Sequence, residues 1–386
     1  VDGTMEIFDS KNNCCGCSAC EQICPKNAIK MKPDDRGFLY PVIDNSLCVE
    51  CGACKRVCAF QNGYEKNRAQ KAYAIKHKDS NTRMTSRSGG VFIAISDFIL
   101  EKNGSVYGAA FDDDFSVCHI RTTNKSERDR LKGSKYVQSN VKDTFSNVKQ
   151  DLKNGMYVLF SGTACQVGGL KKYLKNTDTS KLYTCDLVCH GVPSPKIWKE
   201  YLNHCEKKYN GKVTNANFRD KTLGWNAHKE AIWIDGKKYN SNEYAYLFND
   251  NYISRPSCFN CKFTNLDRPA DFTLADFWGI NNILPEFNDN KGVSLLLVNS
   301  SKGAEVLEAC KKDIECFECD LQKSAKPNPN LYMSSQKPKD GDYFWNNYEK
   351  YGFEKALNKC YKKVFWVKLK IRIREKSNKV KRIFKK

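Results

Sequence analysis

"CCGCSACEQICP", residues 14–25, packs five cysteines into twelve residues and ends on Cys-Pro. A second run, "CVECGACKRVC", occupies residues 48–58. Both contain C-x2-C-x2-C-x3-C, at Cys14, Cys17, Cys20, Cys24 and at Cys48, Cys51, Cys54, Cys58. Three thiolates at this spacing wrap one face of an iron-sulfur cube, and the fourth points away to ligate a second cube. The expected ligand sets are therefore Cys14, Cys17, Cys20 and Cys58 for one 4Fe-4S cluster, and Cys48, Cys51, Cys54 and Cys24 for the other. Structural zinc prefers two C-x2-4-C pairs across a longer gap, so the tight triple run favours cubes. Cys15 stands outside the pattern and reads as a bystander.

At 386 residues the chain can bury one or two sizeable cores plus a small appendage. Mean hydropathy is −0.63, and the most apolar stretches, "GVFIAISDFIL" and "VSLLLV", are too short or interrupted to span a membrane. Residues 1–4, ahead of Met5, read as a vector-derived remnant, and no secretory signal follows them. Twenty cysteines in such a context read as metal sites in a reducing compartment, which places the expected location in the cytoplasm. The net charge is +20, and residues 361–386 carry 12 Lys/Arg against one Glu. A solvated basic end is the plain reading of this tail. The sharper one is a peripheral contact with anionic lipid at the inner face of the membrane, or with an acidic partner. No nucleic-acid-binding motif is present, so no nucleic acid is expected.

The pattern divides the chain into a two-cluster ferredoxin domain over 1–65, a body in two parts over 66–150 and 151–330, and a polar, then basic, tail over 331–386. In the head, "AIKMKPDDRGFLYPVI" predicts two short strands around an Asp-Asp-Arg-Gly turn. "YEKNRAQ" reads as a polar linker. "KAYAIKH", "SVYGAAF", "MYVLFSG" and "KLYTCDLVC" then read as strands. They alternate with helices in "GVFIAISDFILEKNG", "FSNVKQDLKNG", "GGLKKYLKN" and "SPKIWKEYLNHCEKKYNG". "KEAIWIDGKKYN" predicts a hairpin on an Asp-Gly turn. The fold class is α/β with an N-terminal α+β bacterial-ferredoxin-like domain.

Further cysteines lie in the body. Cys165 sits in "VLFSGTACQ" at a strand-to-helix junction, Cys185 in "YTCDL", Cys189 in "DLVCHGVPSP", and Cys258 and Cys261 form "RPSCFNCKF". Four such thiolates could hold a third cluster, two or three could bind zinc, and any one could be an inert buried cysteine. Cys316 and Cys319 form a further C-x2-C pair in a less distinctive context, read as inert. "TSRSGGVF" (85–92) opens a helix on two glycines, a turn whose amides can meet phosphate or ring oxygens. "KGSKYVQS" (132–139) is a second polar loop. Either could equally be an ordinary capped turn, and no G-x-G-x-x-G fingerprint follows a strand. No catalytic acid or base can be named. His190 could donate a proton or be structural, and Asp276 in "LADFWG" could orient a cofactor or make a turn.

In order along the chain, "SRSGG", "KGSKYVQS", "GTACQVGGLKKYL", "DLVCHGVPSPKIW", "FRDKTLGW", "RPSCFNCKF", "DFTLADFWGI" and "KGVSLLLVN" resemble the family of beta subunits of coenzyme F(420)-reducing hydrogenases and dehydrogenases. A bacterial branch of that family carries a two-cluster ferredoxin domain in front. The resemblance implies FAD bound in a non-Rossmann α/β body, lined by Ser88, Gly89 and Gly90 with Lys132, Ser134, Lys135 and Tyr136. Arg87 and Lys135 are the expected cations beside the flavin ring. It also implies a third 4Fe-4S cluster, carried by motif to Cys165, Cys189, Cys258 and Cys261. Ala164 stands where the family usually has proline. The implied activity is electron transfer through the clusters to FAD and hydride exchange with a soluble acceptor, either the deazaflavin coenzyme or another organic molecule. Ferredoxin or another low-potential protein is the implied electron partner. The alternative is an electron-relay subunit that serves a partner enzyme.

Overall fold

The computed structural model describes residues 6–222, 224–227 and 229–361. In the head, strands Ile29–Pro33 and Leu39–Ile43 pair antiparallel around the expected Asp34–Gly37 turn. The two cysteine runs share one backbone trace. Each places two residues in the left-handed region at matching positions, Gly16 and Ser18 in the first run and Glu50 and Gly52 in the second. Each then enters a single helical turn, Ala19–Gln22 or Ala53–Arg56. The repeated spacing is thus a repeated loop conformation. In each run a glycine takes one left-handed position at no steric cost and a second residue, Ser18 or Glu50, takes the other against its preference, so that three thiols share one side.

The body is organised by an eight-stranded sheet. From edge to edge its strands are Ile314–Cys319, Lys71–His77, Ser294–Val298, Phe272–Asp276, Leu182–Leu187, Val158–Thr163, Ser105–Phe111 and Val117–Thr122. The four from Phe272–Asp276 to Ser105–Phe111 run parallel, and the flanking pairs are antiparallel. The central strands read as near-continuous apolar runs because both faces are covered. Strands from both expected parts of the body interleave in this sheet, so position 150 marks no structural division. The Asp-Gly hairpin forms at Asp235–Gly236 and is extended by strand Val213–Asp220 into a three-stranded sheet.

Two expectations change. The polar linker is partly strand: Asn67–Arg68 pairs with Asp267–Arg268, and Tyr64 stacks on Phe263 at 4.4 Å. The segment after residue 330 is not peripheral where it is described. Helix Tyr343–Tyr351 buries Phe344 and Trp345, and Phe353, Ala356, Leu357 and Cys360 join the same core as Trp198, Tyr201 and Tyr244. The spacing of these six is helical, and their lysine-rich neighbours face water. The expectation for the basic tail lies, Tyr361 apart, outside the described residues. Among the described residues no helix is long and apolar enough to cross a membrane.

Candidate functional site

The head's cysteines sort into two groups. Cys24, Cys48, Cys51 and Cys54 line one small cavity with Lys26, and Cys51 is exposed. Cys14, Cys17, Cys20 and Cys58 line another, deeper one. Burial pushes the Cys14, Cys20 and Cys58 thiols up, and in each case the neighbouring thiols push the same way. Cys20, Cys24 and Cys54 pack with Ile7 and Ile29 between the two groups.

A third cavity forms where the body meets the head. Five cysteines line it, Cys15 from the head and four from separate places in the body. Cys165 lies in the first turn of helix Ala164–Tyr173, whose start is fixed by a capping box between Thr163 and Gln166. Cys189 follows the end of strand Leu182–Leu187. Cys258 and Cys261 flank the short turn Pro256–Asn260. Burial pushes Cys258 up to about 12 and Cys261 up to about 11, and holds Cys189 well above the ordinary thiol value. Hydrogen bonding with Cys15, aided by Thr163, brings Cys165 down to about 7. No carboxylate or imidazole is among the described residues lining this cavity. An all-sulfur donor set has the chemistry of an iron-sulfur cube, and among the described residues no three His, Cys, Asp or Glu side chains are grouped to hold a single metal ion such as zinc. Cys185 is fully buried within the sheet and lines none of these cavities. Cys316 and Cys319 lie three apart on an edge strand and pack into different clusters, so they make no pair of ligands.

Cys15, read as a bystander, occupies the junction. It lines the deep head cavity, the third cavity and the large cavity beyond, and its thiol interacts with both Cys17 and Cys165.

The large cavity, about 490 Å3, opens at the carboxyl ends of the parallel strands, where ligands of open α/β sheets bind. Its volume suits an organic cofactor or substrate. Arg87, Ser88 and Gly90 line it from one loop and Lys132, Ser134, Lys135 and Tyr136 from the other. Gly89 does not line it. A side chain there would strike the Ile75 carbonyl at 2.0 Å and the Ser294 amide at 2.6 Å, so this glycine seats the loop on the sheet. Arg87 pairs with Asp276, which also accepts a hydrogen bond from Trp225 Nε1 at 3.0 Å. Asp276 therefore holds the Arg87 loop in place. Lys135 Nζ donates to the Arg130 and Lys132 carbonyls, each at 2.8 Å, and burial lowers its pKa to about 7.

Arg219, Trp278 and His119 line the cavity without having carried an expectation, whereas His190 is the residue expected to donate a proton or to be structural. Arg219, from the "FRDKTLGW" motif, and Arg87 both lie over the Trp278 ring, which stacks on Trp225 at 5.2 Å. His119 packs on Phe160, and burial lowers its pKa to about 4, so the ring stays neutral beside the Ser161 carbonyl. His190 stands edge-on to Phe248, its pKa also lowered by burial. Arg87, Lys132 and Arg219 outnumber Asp276, the single carboxylate among the described lining residues, so the cavity favours an anionic guest.

Residues 155–323 match the family model described as coenzyme F420 hydrogenase/dehydrogenase, beta subunit (C terminus). Residues 13–62 match that of the 4Fe-4S dicluster domain. The four body cysteines fall inside the first match, and the loops at 85–92 and 132–139 fall outside it. Among curated proteins, the F(420)H(2) dehydrogenase subunit (F) of Methanosarcina mazei is 22% identical over 206 residues, which cover 49% of this chain and 58% of that protein. The chain thus spans somewhat over half the length of this relative. A solved structure, of the F420-reducing [NiFe] hydrogenase complex from Methanosarcina barkeri, is similar at a TM-score of 0.45 and 15% identity, over 76% of this chain and 92% of that one. Residues 155–323 thus match the C-terminal domain of coenzyme F420 hydrogenase/dehydrogenase beta subunits, behind a match to the 4Fe-4S dicluster domain at residues 13–62.

Proposed function

We propose that the chain is an iron-sulfur flavoprotein oxidoreductase, which moves electrons through three 4Fe-4S clusters to FAD and exchanges a hydride with a soluble organic acceptor. One observation carries this reading: the cysteine cavities and the large cavity form a continuous line. Cys51 lies at the surface, Cys20, Cys24 and Cys54 pack between the two head groups, Cys15 joins the deep head cavity to the third, and Cys165 and Cys189 line both the third cavity and the large one.

In this reading Cys165, Cys189, Cys258 and Cys261 hold the third cluster, and the two loops at Arg87–Gly90 and Lys132–Tyr136 hold the flavin. Bound FAD supplies the exchange between single electrons and a hydride pair. The chain supplies the setting. Arg87, oriented by Asp276, presents positive charge to an anionic guest in a partly dry cavity, and Lys135, whose pKa burial lowers to about 7, is held by two carbonyls beside it. Phe248 and Trp278 give the walls flat apolar surface.

Iron, sulfide and flavin per chain, measured on protein purified without oxygen, test the proposal. About twelve irons and one FAD are expected for three cubes and one flavin. About eight irons would remove the third cluster, and absence of flavin would overturn the flavoprotein reading. Acceptors would then be screened, beginning with the deazaflavin coenzyme.

A second reading rests on the curated relative being named a subunit of a dehydrogenase. The chain would then relay electrons between a protein such as ferredoxin and a partner enzyme. Turnover of a soluble acceptor by the isolated chain separates the two, because a relay works only with its partner present.

A further inference from the structure

Among the described residues two arginines, Arg255 and Arg268, are less than 2% exposed, and their partners differ. Arg268 is 1% exposed and pairs with the buried carboxylate of Asp186 at 3.1 Å. Arg255 is 0% exposed and pairs with no carboxylate among the described residues. Its Nε donates to the Cys14 carbonyl at 2.9 Å and its Nη1 to Gln138 Oε1 at 3.1 Å. Its Nη2 lies 3.6 Å from Cys14 Sγ, and its guanidinium sits 4.0 Å from the centroid of the Tyr40 ring. Every one of these partners is neutral. A buried cation without a counter-charge is strongly unfavourable, so a group of opposite charge belongs beside it.

That group is close at hand. A 4Fe-4S cube with four thiolate ligands is an anion, and the deep head set includes the Cys14 sulfur that Arg255 faces. Gly16 makes the approach possible: a side chain there would meet Gln138 Nε2 at 2.3 Å and Arg255 Nη1 at 3.0 Å. The cation comes from the body, three residues before Cys258, and reaches into the head.

We propose that Arg255 is the counter-ion of the cluster held by Cys14, Cys17, Cys20 and Cys58, and that it raises the reduction potential of this cluster selectively. The proposal rests on the assignment of a cluster to those four cysteines. Each one-electron reduction adds a negative charge to the cube, and a fixed cation at its edge favours the reduced form. Burial alone would do the opposite, so Arg255 offsets the cost of sinking this cluster beneath the body. The outer cluster, at Cys24, Cys48, Cys51 and Cys54, has an exposed ligand and a solvent-screened surround, so Arg255 barely acts on it. The body thereby sets which head cluster collects the electron: the inner one, and only when the head is seated.

Potentiometric titration of the full chain, followed by electron paramagnetic resonance, tests this in the wild type, R255Q, Q138E and Q61L. Gln61 Nε2 lies 3.6 Å from Cys58 Sγ, so Q61L identifies the inner cluster's signal by a small downward shift. R255Q is expected to lower the same signal further and leave the outer one in place. Q138E keeps the arginine but sets a carboxylate against it, so it also lowers the inner signal. It serves should R255Q fail to fold. Iron is counted on every sample. A full iron content with the inner signal unmoved in R255Q or Q138E, or with both signals shifted equally, overturns the proposal. A wild type lacking the head's iron overturns the cluster assignment beneath it.

Discussion

The head and the body gather cysteines by opposite means. In the head, the eight cysteines of the repeated spacing lie within 45 residues, and two copies of one loop conformation bring them together. In the body, four cysteines spread from residue 165 to residue 261 converge only because parallel strands end side by side. The head's apolar core is small, centred on Ile7, Ile29 and Cys54, whereas the body has large cores of its own. A local metal site can therefore hold its own fold together, while an assembled one is a product of the fold.

Iron removal gives the sharpest break. Anaerobic chelation should expose the head to protease while the sheet keeps its resistance, read as fragments on a gel. An equally labile body would erase the distinction. Serine substitutions sharpen the same point. C258S should lose about four irons and keep the head's clusters, while C17S should lose its cluster and destabilise the head as a whole. Next in size is W345A, which removes a buried aromatic from the body's core at an expected cost of about 3–5 kcal/mol in denaturant unfolding. A smaller effect is expected from G169V. A side chain at Gly169 would meet Cys17 Sγ at 2.8 Å, so the head's seat on helix Ala164–Tyr173 should weaken by about 1–3 kcal/mol. Faster proteolysis between residues 63 and 70 would report it.

The smallest effect is at Asp151, wholly within the body. Burial raises its pKa, but hydrogen bonds from Arg121, Ser105 and Tyr107 outweigh this and leave it lowered. A lowered carboxylate contributes stability above its unfolded value of about 4, and that contribution fades as pH falls through the folded value. D151N should therefore be less stable by about 1.5 kcal/mol at pH 7, and the difference should close in acid. A gap independent of pH would show that packing, not charge, is what Asp151 contributes.

Much of this was legible in the sequence, because most of it is local. The cysteine spacing foretold two groups, and alternating patterns located the strands from Lys71–His77 to Leu182–Leu187 and the helices between them. Arg87, Ser88, Gly90, Lys132, Ser134, Lys135 and Tyr136, from two loops distant in sequence, do meet in one cavity. Phe344, Trp345, Phe353, Ala356, Leu357 and Cys360 carried a helical signal too, masked by the lysines around them. What could not be read are contacts between distant segments. Nothing in "RPSCFNCKF" says that its arginine reaches Cys14, or in "QVGGLKKYL" that Gly169 makes room for Cys17. Such pairings depend on how two units meet, which no local pattern encodes.

The short pairing of Asn67–Arg68 with Asp267–Arg268 bears on how such a chain can be taken apart and recombined. It stitches the stretch leaving the head to the segment just beyond Cys261. Gln22 caps the helix at Phe145 and Ser146, and Lys196 Nζ holds the Asp35 carbonyl at 2.9 Å. The head is therefore fixed wiring, not a tethered shuttle that swings between donor and acceptor. A graft that exchanged it for another ferredoxin at the linker alone would leave Arg255, Gln138 and Gly169 facing the wrong surface. The unit of exchange is the head together with its socket.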